Sequence, residues 1–148
     1  MEQNLKAFED LSTTELYKIL KLRSEVFVVE QTCAYQDIDG KDMESMHFWL
    51  EDEGEILAYC RLLPRGLFYE EAAIGRVIVR ESARGAGLAR KMLMKVIEIL
   101  HFIWKEPELR IEAQYYLRKF YASCGFVEDS EPFFEDGIKH VEMLLRFD

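Results

Sequence analysis

Cysteine and proline are scarce in this sequence of 148 residues, and long apolar runs are absent. The three cysteines stand far apart, and an odd number without a Cys-x-x-Cys pair argues against a disulfide framework and against a zinc site. No apolar run approaches the roughly 18 residues that a membrane helix needs, and no cationic stretch precedes an apolar segment at the N-terminus. These absences predict a cytoplasmic protein without a metal or a membrane partner.

Basic residues are outnumbered, with 19 Lys and Arg against 28 Asp and Glu and a formal net charge of −9. This balance argues against the broad basic surface that binds nucleic acid. An acidic surface attracts cations, amines included, although it is also a common route to solubility. The length and the 49% of hydrophobic residues predict one domain with one sizeable core.

The first half of the chain alternates between apolar and helical patterns. A strand is predicted at Leu5–Phe8, followed by a helix from Thr13 to about Phe27 that opens with a capping box between Ser12 and Glu15. The stretch from 30 to 45, which includes DIDGKD, reads as a polar, solvated loop. A Glu53-Gly54 turn between two apolar runs then predicts a hairpin.

The second half continues with a third strand and the strongest helix pattern of the chain. The predicted elements are a strand at Ala72–Val79, a helix at Gly85–Phe102, a strand ending at Gln114, a short helix ending at Gly125, and two strands at Val127–Phe134 and His140–Phe147. The mixed order with several hairpins predicts an α+β single domain, with a mostly antiparallel sheet and helices on both faces.

The most informative run, RGAGLAR, joins an apolar strand to the N-terminus of an amphipathic helix. The first N–H groups of a helix lack internal partners, and the helix dipole adds positive charge there. Gly85 and Gly87 remove side chains that would block an anion, and Arg84 and Arg90 add cationic charge. These features predict a phosphate or pyrophosphate site. The dinucleotide motif fails because Arg90 replaces its third glycine, and the P-loop fails because no GK[ST] follows.

The span from Arg84 through Gly87 to Ala89 fits [QR]-x-x-G-x-[GA], and it resembles the acetyl-CoA signature of the GNAT superfamily of N-acetyltransferases. Downstream, Gln114 stands seven residues before Tyr121, where that family more often has Asn. The element order resembles the family over nearly the whole chain. The phrases LRSEVFVVEQTCAYQDIDGKD, IGRVIV and FEDGIKHVEM resemble its ElaA-like branch, whose acceptor is poorly defined.

The resemblance implies direct acetyl transfer from acetyl-CoA to an amine, with no metal and no covalent acyl-enzyme. The backbone of Val77, Ile78 and Val79 would pair with the pantetheine arm, and the N–H of Ile78 or Val79 would polarise the thioester. Tyr121 would protonate the departing thiolate. The other implied cofactor contacts are Arg84, Gly85, Ala86, Gly87, Leu88, Ala89, Arg90 and Gln114.

The sequence defines the residues that would bind the acceptor amine less closely than those that would bind the cofactor. The resemblance implies that Arg23, Glu30 and Gln31 line the acceptor pocket, and His140, Glu30 and Glu112 are candidates for the base. Arg76, a charged residue inside an apolar strand, either reaches the cleft or pairs with a carboxylate. The acceptor is a small amine or a peptide amine, and a homodimer is left open. A non-catalytic acyl-CoA-binding or regulatory module on the same fold is the alternative, against which Tyr121 argues.

Overall fold

Eight strands and three α-helices form the part of the chain that the structure describes, residues 1–147 of a computed structural model. The strands are β1 (Glu2–Ala7), β2 (Met46–Asp52), β3 (Glu55–Leu63), β4 (Ala72–Val79), β5 (Glu108–Gln114), β6 (Val127–Glu128), β7 (Phe133–Glu135) and β8 (Ile138–Arg146). The helices are α1 (Thr13–Arg23), α2 (Leu88–Glu98) and α3 (Arg118–Ser123), and the first two continue as wider π-helical turns over Ser24–Glu30 and Ile99–Ile103.

All strands belong to one sheet in the order β1-β2-β3-β4-β5-β8-β6, with β7 paired to β8. Every pairing is antiparallel except that of β4 with β5. The predicted α+β class with a mostly antiparallel sheet is therefore confirmed. None of the helices in residues 1–147 is both long enough and apolar enough to cross a bilayer.

The predicted element boundaries are confirmed at β4 and at the Glu53-Gly54 turn, and they shift elsewhere for local reasons. The helix α2 begins at Leu88 because Gly87 is left-handed, with φ +76°, and cannot lie inside a right-handed helix. The single strand predicted at Val127–Phe134 is broken in two. Pro132, which has no N–H to donate to a ladder, lies in the break.

Helices cover both faces of the sheet because the strand residues alternate between two apolar cores. On one face, Phe48 and Cys60 pack in the core that contains α2 and α3. On the other face, Trp49 and Tyr59 pack against Leu22 and the rest of α1. The alternation has the period of two that a strand imposes, and it confirms the predicted helices on both faces.

The sheet splits in its middle, where β4 and β5 part. They pair only at Ala72 with Leu109 and at Ala73 with Arg110, and the rest of β4 has no partner strand on that side within residues 1–147. The register between β3 and β4 shifts so that Arg76 and Val77 together oppose a single residue, which is a β-bulge. Arg76 is left-handed at the bulge, with φ +52°. This bulge lies where β4 bends away from β5.

A buried cluster of three arginines and three aspartates supports the split; we call it the arginine–aspartate cluster (Arg23, Arg61, Arg76, Asp37, Asp39, Asp42). Arg23 is fully buried, and its guanidinium donates to Asp37 Oδ2 at 2.9 Å and to Asp42 Oδ1 at 2.6 Å. Asp42 Oδ1 also accepts from Arg61 at 3.0 Å. Two predictions are therefore wrong. Arg23 does not line an acceptor pocket, and DIDGKD is not a solvated loop, because its aspartates neutralise buried cations.

The remaining contacts of the arginine–aspartate cluster attach it to the bulge of β4. Arg76 Nε lies 2.7 Å from Asp37 Oδ1, and Arg76 Nη2 donates to the Asp37 carbonyl at 3.0 Å. The Arg61 guanidinium donates one hydrogen bond to each carboxylate oxygen of Asp39. Burial raises the pKa of the Asp39 and Asp42 carboxyls, but the hydrogen bonds and charges of the neighbouring arginines outweigh it and hold both pKa values below the usual range.

Replacing Asp42→Asn is expected to lower the free energy of unfolding by about 3 kcal/mol at pH 7, because two buried guanidinium groups lose a shared counter-charge. The measurement is urea denaturation. The control is Glu98→Gln, whose partner Lys95 is 4.0 Å away on the exposed surface of α2. A surface pair of this kind contributes at most about 1 kcal/mol. A similarly small loss in Asp42→Asn would contradict a structural role for the cluster.

The same carboxylates predict how stability falls in acid. A group whose pKa is lowered on folding stabilises the native state above its ordinary value of 3.8, and this contribution disappears as the pH falls through the folded-state pKa. The parent should therefore lose stability more steeply below about pH 4 than Asp42→Asn does. If the free energy of unfolding falls equally with pH in the two proteins, Asp42 is not the group that titrates.

Candidate active site

A cavity of about 850 Å³ follows the gap between β4 and β5 and gathers most of the predicted site residues. The predicted residues that line it are Glu30, Gln31, Val77, Ile78, Val79, Arg84, Gly85, Gly87, Leu88, Ala89, Arg90, Gln114, Tyr121 and His140. Two predicted residues lie outside it. Ala86 is exposed on the loop but does not line the cavity, and Arg23 is buried in the arginine–aspartate cluster.

The backbone of β4 turns the N–H of Val79 toward this gap. The N–H of Arg80 donates to the Leu57 carbonyl at 2.8 Å. Because hydrogen-bonded pairs alternate along an antiparallel ladder, Ile78 turns its backbone toward β3 and Val79 turns its backbone toward the gap. The Val79 carbonyl indeed accepts from Arg84 Nε at 2.9 Å on that side. The sequence did not decide whether the N–H of Ile78 or that of Val79 would polarise the thioester. The ladder directs the N–H of Val79 into the gap.

The glycine loop leaves open space at the N-terminus of α2. Gly85 and Gly87 have φ of +90° and +76°, and a Cβ on either would meet no heavy atom within 4 Å. Neither glycine therefore places a side chain beside the first N–H groups of the 11-residue helix. These features fit a bound phosphate group, because the loop supplies partial positive charge without steric obstruction.

The two arginines of the loop are each held in place. The Arg84 guanidinium forms a bidentate salt bridge with the Glu30 carboxylate, with nitrogen–oxygen distances of 2.8 and 3.0 Å. Arg90 donates to Ser123 Oγ and stands 5.6 Å from the ring centre of Phe120, so it connects α2 to α3. The carboxylate of Glu30, predicted on the acceptor side, is therefore bound to the phosphate loop and is not free to act as a base.

Tyr121 lies on α3 with its ring packed between aromatic neighbours and its side chain lining the cavity. Phe120 and Phe126 stand edge-on to it, at ring-centre distances of 5.3 and 6.2 Å. Burial raises the pKa of the Tyr121 phenol well above its ordinary value of 10. The phenol is therefore protonated at neutral pH and can give a proton to a stronger base.

The acceptor side of the cavity is formed by the ends of β5, β7 and β8. Gln114 Nε2 donates to Gln31 Oε1 at 3.3 Å, and Gln114 is paired with His140 across the ladder. Glu135 also lines this region, although the sequence had not singled it out. The signal was present in FEDGIKH, because the tight turn at Asp136-Gly137 brings Glu135 back beside the start of β8.

A family model described as an acetyltransferase (GNAT) domain matches residues 8–147. The chain belongs to this GNAT acetyltransferase family.

Two relatives show which branch of the family is involved. Protein ElaA of Escherichia coli (strain K12) is 41% identical over 138 residues, covering 90% of this chain and 89% of that protein. A UPF0039 protein of Mycobacterium tuberculosis (strain ATCC 25618 / H37Rv) is 42% identical over 140 residues, covering 92% of this chain and 87% of that protein. The predicted likeness to the ElaA-like branch is confirmed.

Solved structures agree with this placement. The crystal structure of Escherichia coli ElaA superposes with a TM-score of 0.91 at 37% identity, and that of an acyl-CoA N-acyltransferase from Pseudomonas aeruginosa with 0.92 at 35%. Each comparison covers 98% of this chain and 99% of the other. The fold prediction is confirmed over nearly the whole length.

Acetyl-CoA, which the family resemblance implies as the acyl donor, is expected to raise the melting temperature of the parent, because a ligand that binds only the native state stabilises it. Gly87→Asp should abolish that rise by placing bulk and negative charge at the N-terminus of α2. The matched control is Gly54→Asp in the β2–β3 turn, where the glycine has φ +77° against +76° at Gly87. Both variants carry the same backbone cost, but only the control should keep the rise. An equal rise in both would place the cofactor elsewhere.

Proposed function

We propose that this protein is an N-acetyltransferase that moves an acetyl group from acetyl-CoA to an amine by direct attack in a ternary complex. One observation carries the proposal: a single cavity joins the glycine loop of α2, the free N–H of Val79 and the phenol of Tyr121. These are an anion site, a donor for a developing oxyanion and a proton donor. Membership of the GNAT family supports the acyltransferase class, and the cytoplasmic location belongs to the same proposal.

The residues of the loop fit the anionic part of the cofactor. Gly85, Gly87 and the first N–H groups of α2 would hold the pyrophosphate, with the guanidinium groups of Arg84 and Arg90 beside it. The free edge of β4, from Val77 to Val79, offers backbone groups to an extended amide chain. Bound acetyl-CoA supplies an acyl group already activated as a thioester.

The chain's own groups then lower the barrier to acyl transfer. The Val79 N–H donates to the carbonyl oxygen as negative charge develops there, which is the role of an oxyanion-hole donor. Tyr121 is the proton donor for the leaving sulfur as the C–S bond breaks. The raised pKa of Tyr121 keeps this proton in place until it is needed.

The cysteines favour direct attack over a covalent acyl-enzyme. Burial raises the pKa of the Cys60 thiol, so this thiol stays protonated and is a poor nucleophile. Cys33 lines the cavity, but its Sγ donates to the Asp136 carbonyl at 3.3 Å. Cys60 and Cys124 do not line the cavity, and in the described residues Cys33 has no hydrogen bond to a histidine or carboxylate that would activate it, so the amine itself is the proposed nucleophile.

The test is release of free CoA from acetyl-CoA with a panel of primary amines: diamines, amino acids, and peptides with a lysine or a free N-terminus. Release with at least one amine, together with the acetylated product, is the expected result. If acetyl-CoA raises the melting temperature but no amine of the panel is acetylated, the chain is an acyl-CoA-binding module and the proposal is wrong.

Tyr121→Phe is expected to lower kcat about 10²-fold and to leave the KM for acetyl-CoA unchanged, because the ring still packs and only the proton donor is lost. The control is Tyr17→Phe, which makes the same change on an exposed tyrosine of α1 and should match the parent. Steady-state kinetics with an acceptor found by the panel measures both. Parental turnover in Tyr121→Phe would reduce Tyr121 to a packing residue.

A further inference from the structure

Two carboxylates and an imidazole meet at the acceptor side of the cavity; we call them the acceptor triad (Glu112, Glu135, His140). One oxygen of each carboxylate and one ring nitrogen of His140 all lie within 4.8 Å of one another. Each residue comes from a different strand, β5, β7 and β8, and the Asp136-Gly137 turn fixes the last two together. All three side chains line the cavity.

The acceptor triad and Tyr121 lie on opposite faces of the split sheet. Ile111 and Val141 pack in the same apolar core as Tyr121. Because neighbouring strand residues point to opposite faces, Glu112 and His140 project to the other face. The cavity passes through the gap and reaches both sets. A nucleophile held at the triad would thus approach from the face opposite to the proton donor of the leaving group.

The charges of the cavity leave this region negative. The three arginines and three aspartates of the arginine–aspartate cluster balance one another, and Arg84 is balanced by Glu30. Among the described residues that line the cavity, the acceptor side then has Glu112, Glu135 and the neighbouring Asp136 against the cation of Lys41, while Arg90 lies at the glycine-loop end beside Ser123. The uncompensated charge favours a cationic ligand over an anionic one.

Hydrogen bonds prepare two members of the triad for that ligand. His140 Nδ1 lies 2.7 Å from the Ile138 carbonyl, which can only accept, so Nδ1 carries the hydrogen and Nε2 is the nitrogen that has the lone pair in the neutral ring. Glu112 accepts a hydrogen bond of 2.7 Å from the Tyr69 hydroxyl. Burial raises the pKa of Tyr69, and the hydrogen bond to Glu112 raises it further, so the hydroxyl remains a donor and fixes the carboxylate.

We propose that the acceptor triad binds the acceptor as an ammonium ion and that His140 Nε2 takes a proton from its nitrogen. The acceptor class is a small aliphatic amine that carries a second cationic group and no carboxylate. This inference rests on the proposed acetyl transfer and names its substrate class.

Protons and electrons balance in this scheme. The ammonium N–H bond breaks toward Nε2, and the freed lone pair forms the new N–C bond as the C–S bond breaks. The nitrogen loses two protons in all. One leaves through His140 to solvent, and the other replaces the proton that Tyr121 gives to the thiolate.

The first experiment compares 1,5-diaminopentane with 5-aminopentanoate as acceptors for the parent protein. The two compounds have the same chain length and the same reacting amine, but a carboxylate replaces the second ammonium in 5-aminopentanoate. The diamine is expected to have a kcat/KM about 100-fold higher, since the acceptor side carries the negative charges of Glu112, Glu135 and Asp136 and disfavours a carboxylate anywhere on the acceptor. Equal or better transfer to 5-aminopentanoate overturns this inference but leaves acetyl transfer intact, whereas transfer to no amine defeats the proposed function.

Variants then separate binding from proton transfer. Glu112→Gln and Glu135→Gln should each raise the KM for 1,5-diaminopentane about tenfold, and the control Glu131→Gln, an exposed glutamate that does not line the cavity, should not. All three should keep the melting-temperature rise with acetyl-CoA. An unchanged KM in both triad variants would contradict the inference.

His140→Gln tests the base. It should lower kcat for 1,5-diaminopentane about 10²-fold. It should cost far less with 2,2,2-trifluoroethylamine, a weakly basic amine that is already neutral at pH 7.5. An equal loss with both amines would mean that His140 only shapes the pocket. Activity that disappears with EDTA and returns with Zn²⁺ would make the triad a metal site and would also overturn the inference.

Discussion

The parting of β4 and β5 is the constraint on which the rest of the molecule depends. A sheet interior does not normally leave backbone groups unpaired, because a buried N–H or carbonyl without a partner is costly. Here the ladder stops after Ala73 and Arg110, in the middle of the sheet. The unpaired edge of β4 is tolerable only where something else reaches it, and the cavity of about 850 Å³ gives a ligand that access. The cavity therefore lies where two neighbouring strands of the sheet do not pair.

The arginine–aspartate cluster explains how the gap stays open without collapsing. A left-handed Arg76 inside a strand is strained, and its guanidinium is held by Asp37 and Asp39. Asp37 also binds Arg23 at the end of α1, so the bulge is fixed to the helix that covers that face. Buried ion pairs add little to stability in general. Their use here is geometric, because Asp37 ties Arg76 in the bulge of β4 to Arg23 at the end of α1.

The sequence predicted the strand and the loop that form the site better than it predicted which charged side chains pair with one another. The strand Ala72–Val79 and the glycine loop were readable because periodicity and left-handed glycines are local signals. The burial of Asp37 and Asp42 was not readable, since it depends on arginines up to 39 residues away in the chain. Likewise, Glu30 has a local position typical of the acceptor loop, but its partner is Arg84. Ion pairs between residues far apart in the chain produce no periodic pattern in the sequence. Their partners could therefore be identified only from the structure.

The two ends of the cavity have opposite electrostatic character, and this reconciles an acidic protein with an anionic cofactor. The formal net charge of −9 opposes a polyphosphate at long range. Salt screens that repulsion beyond about 8 Å, so Arg90 and the N-terminus of α2 act at contact distance, where Arg84 is paired with Glu30. At the acceptor side, Glu112 and Glu135 act in the same direction as the acidic surface. Under the proposed function, the bulk charge assists the approach of a cationic amine, and the loop alone must select the cofactor.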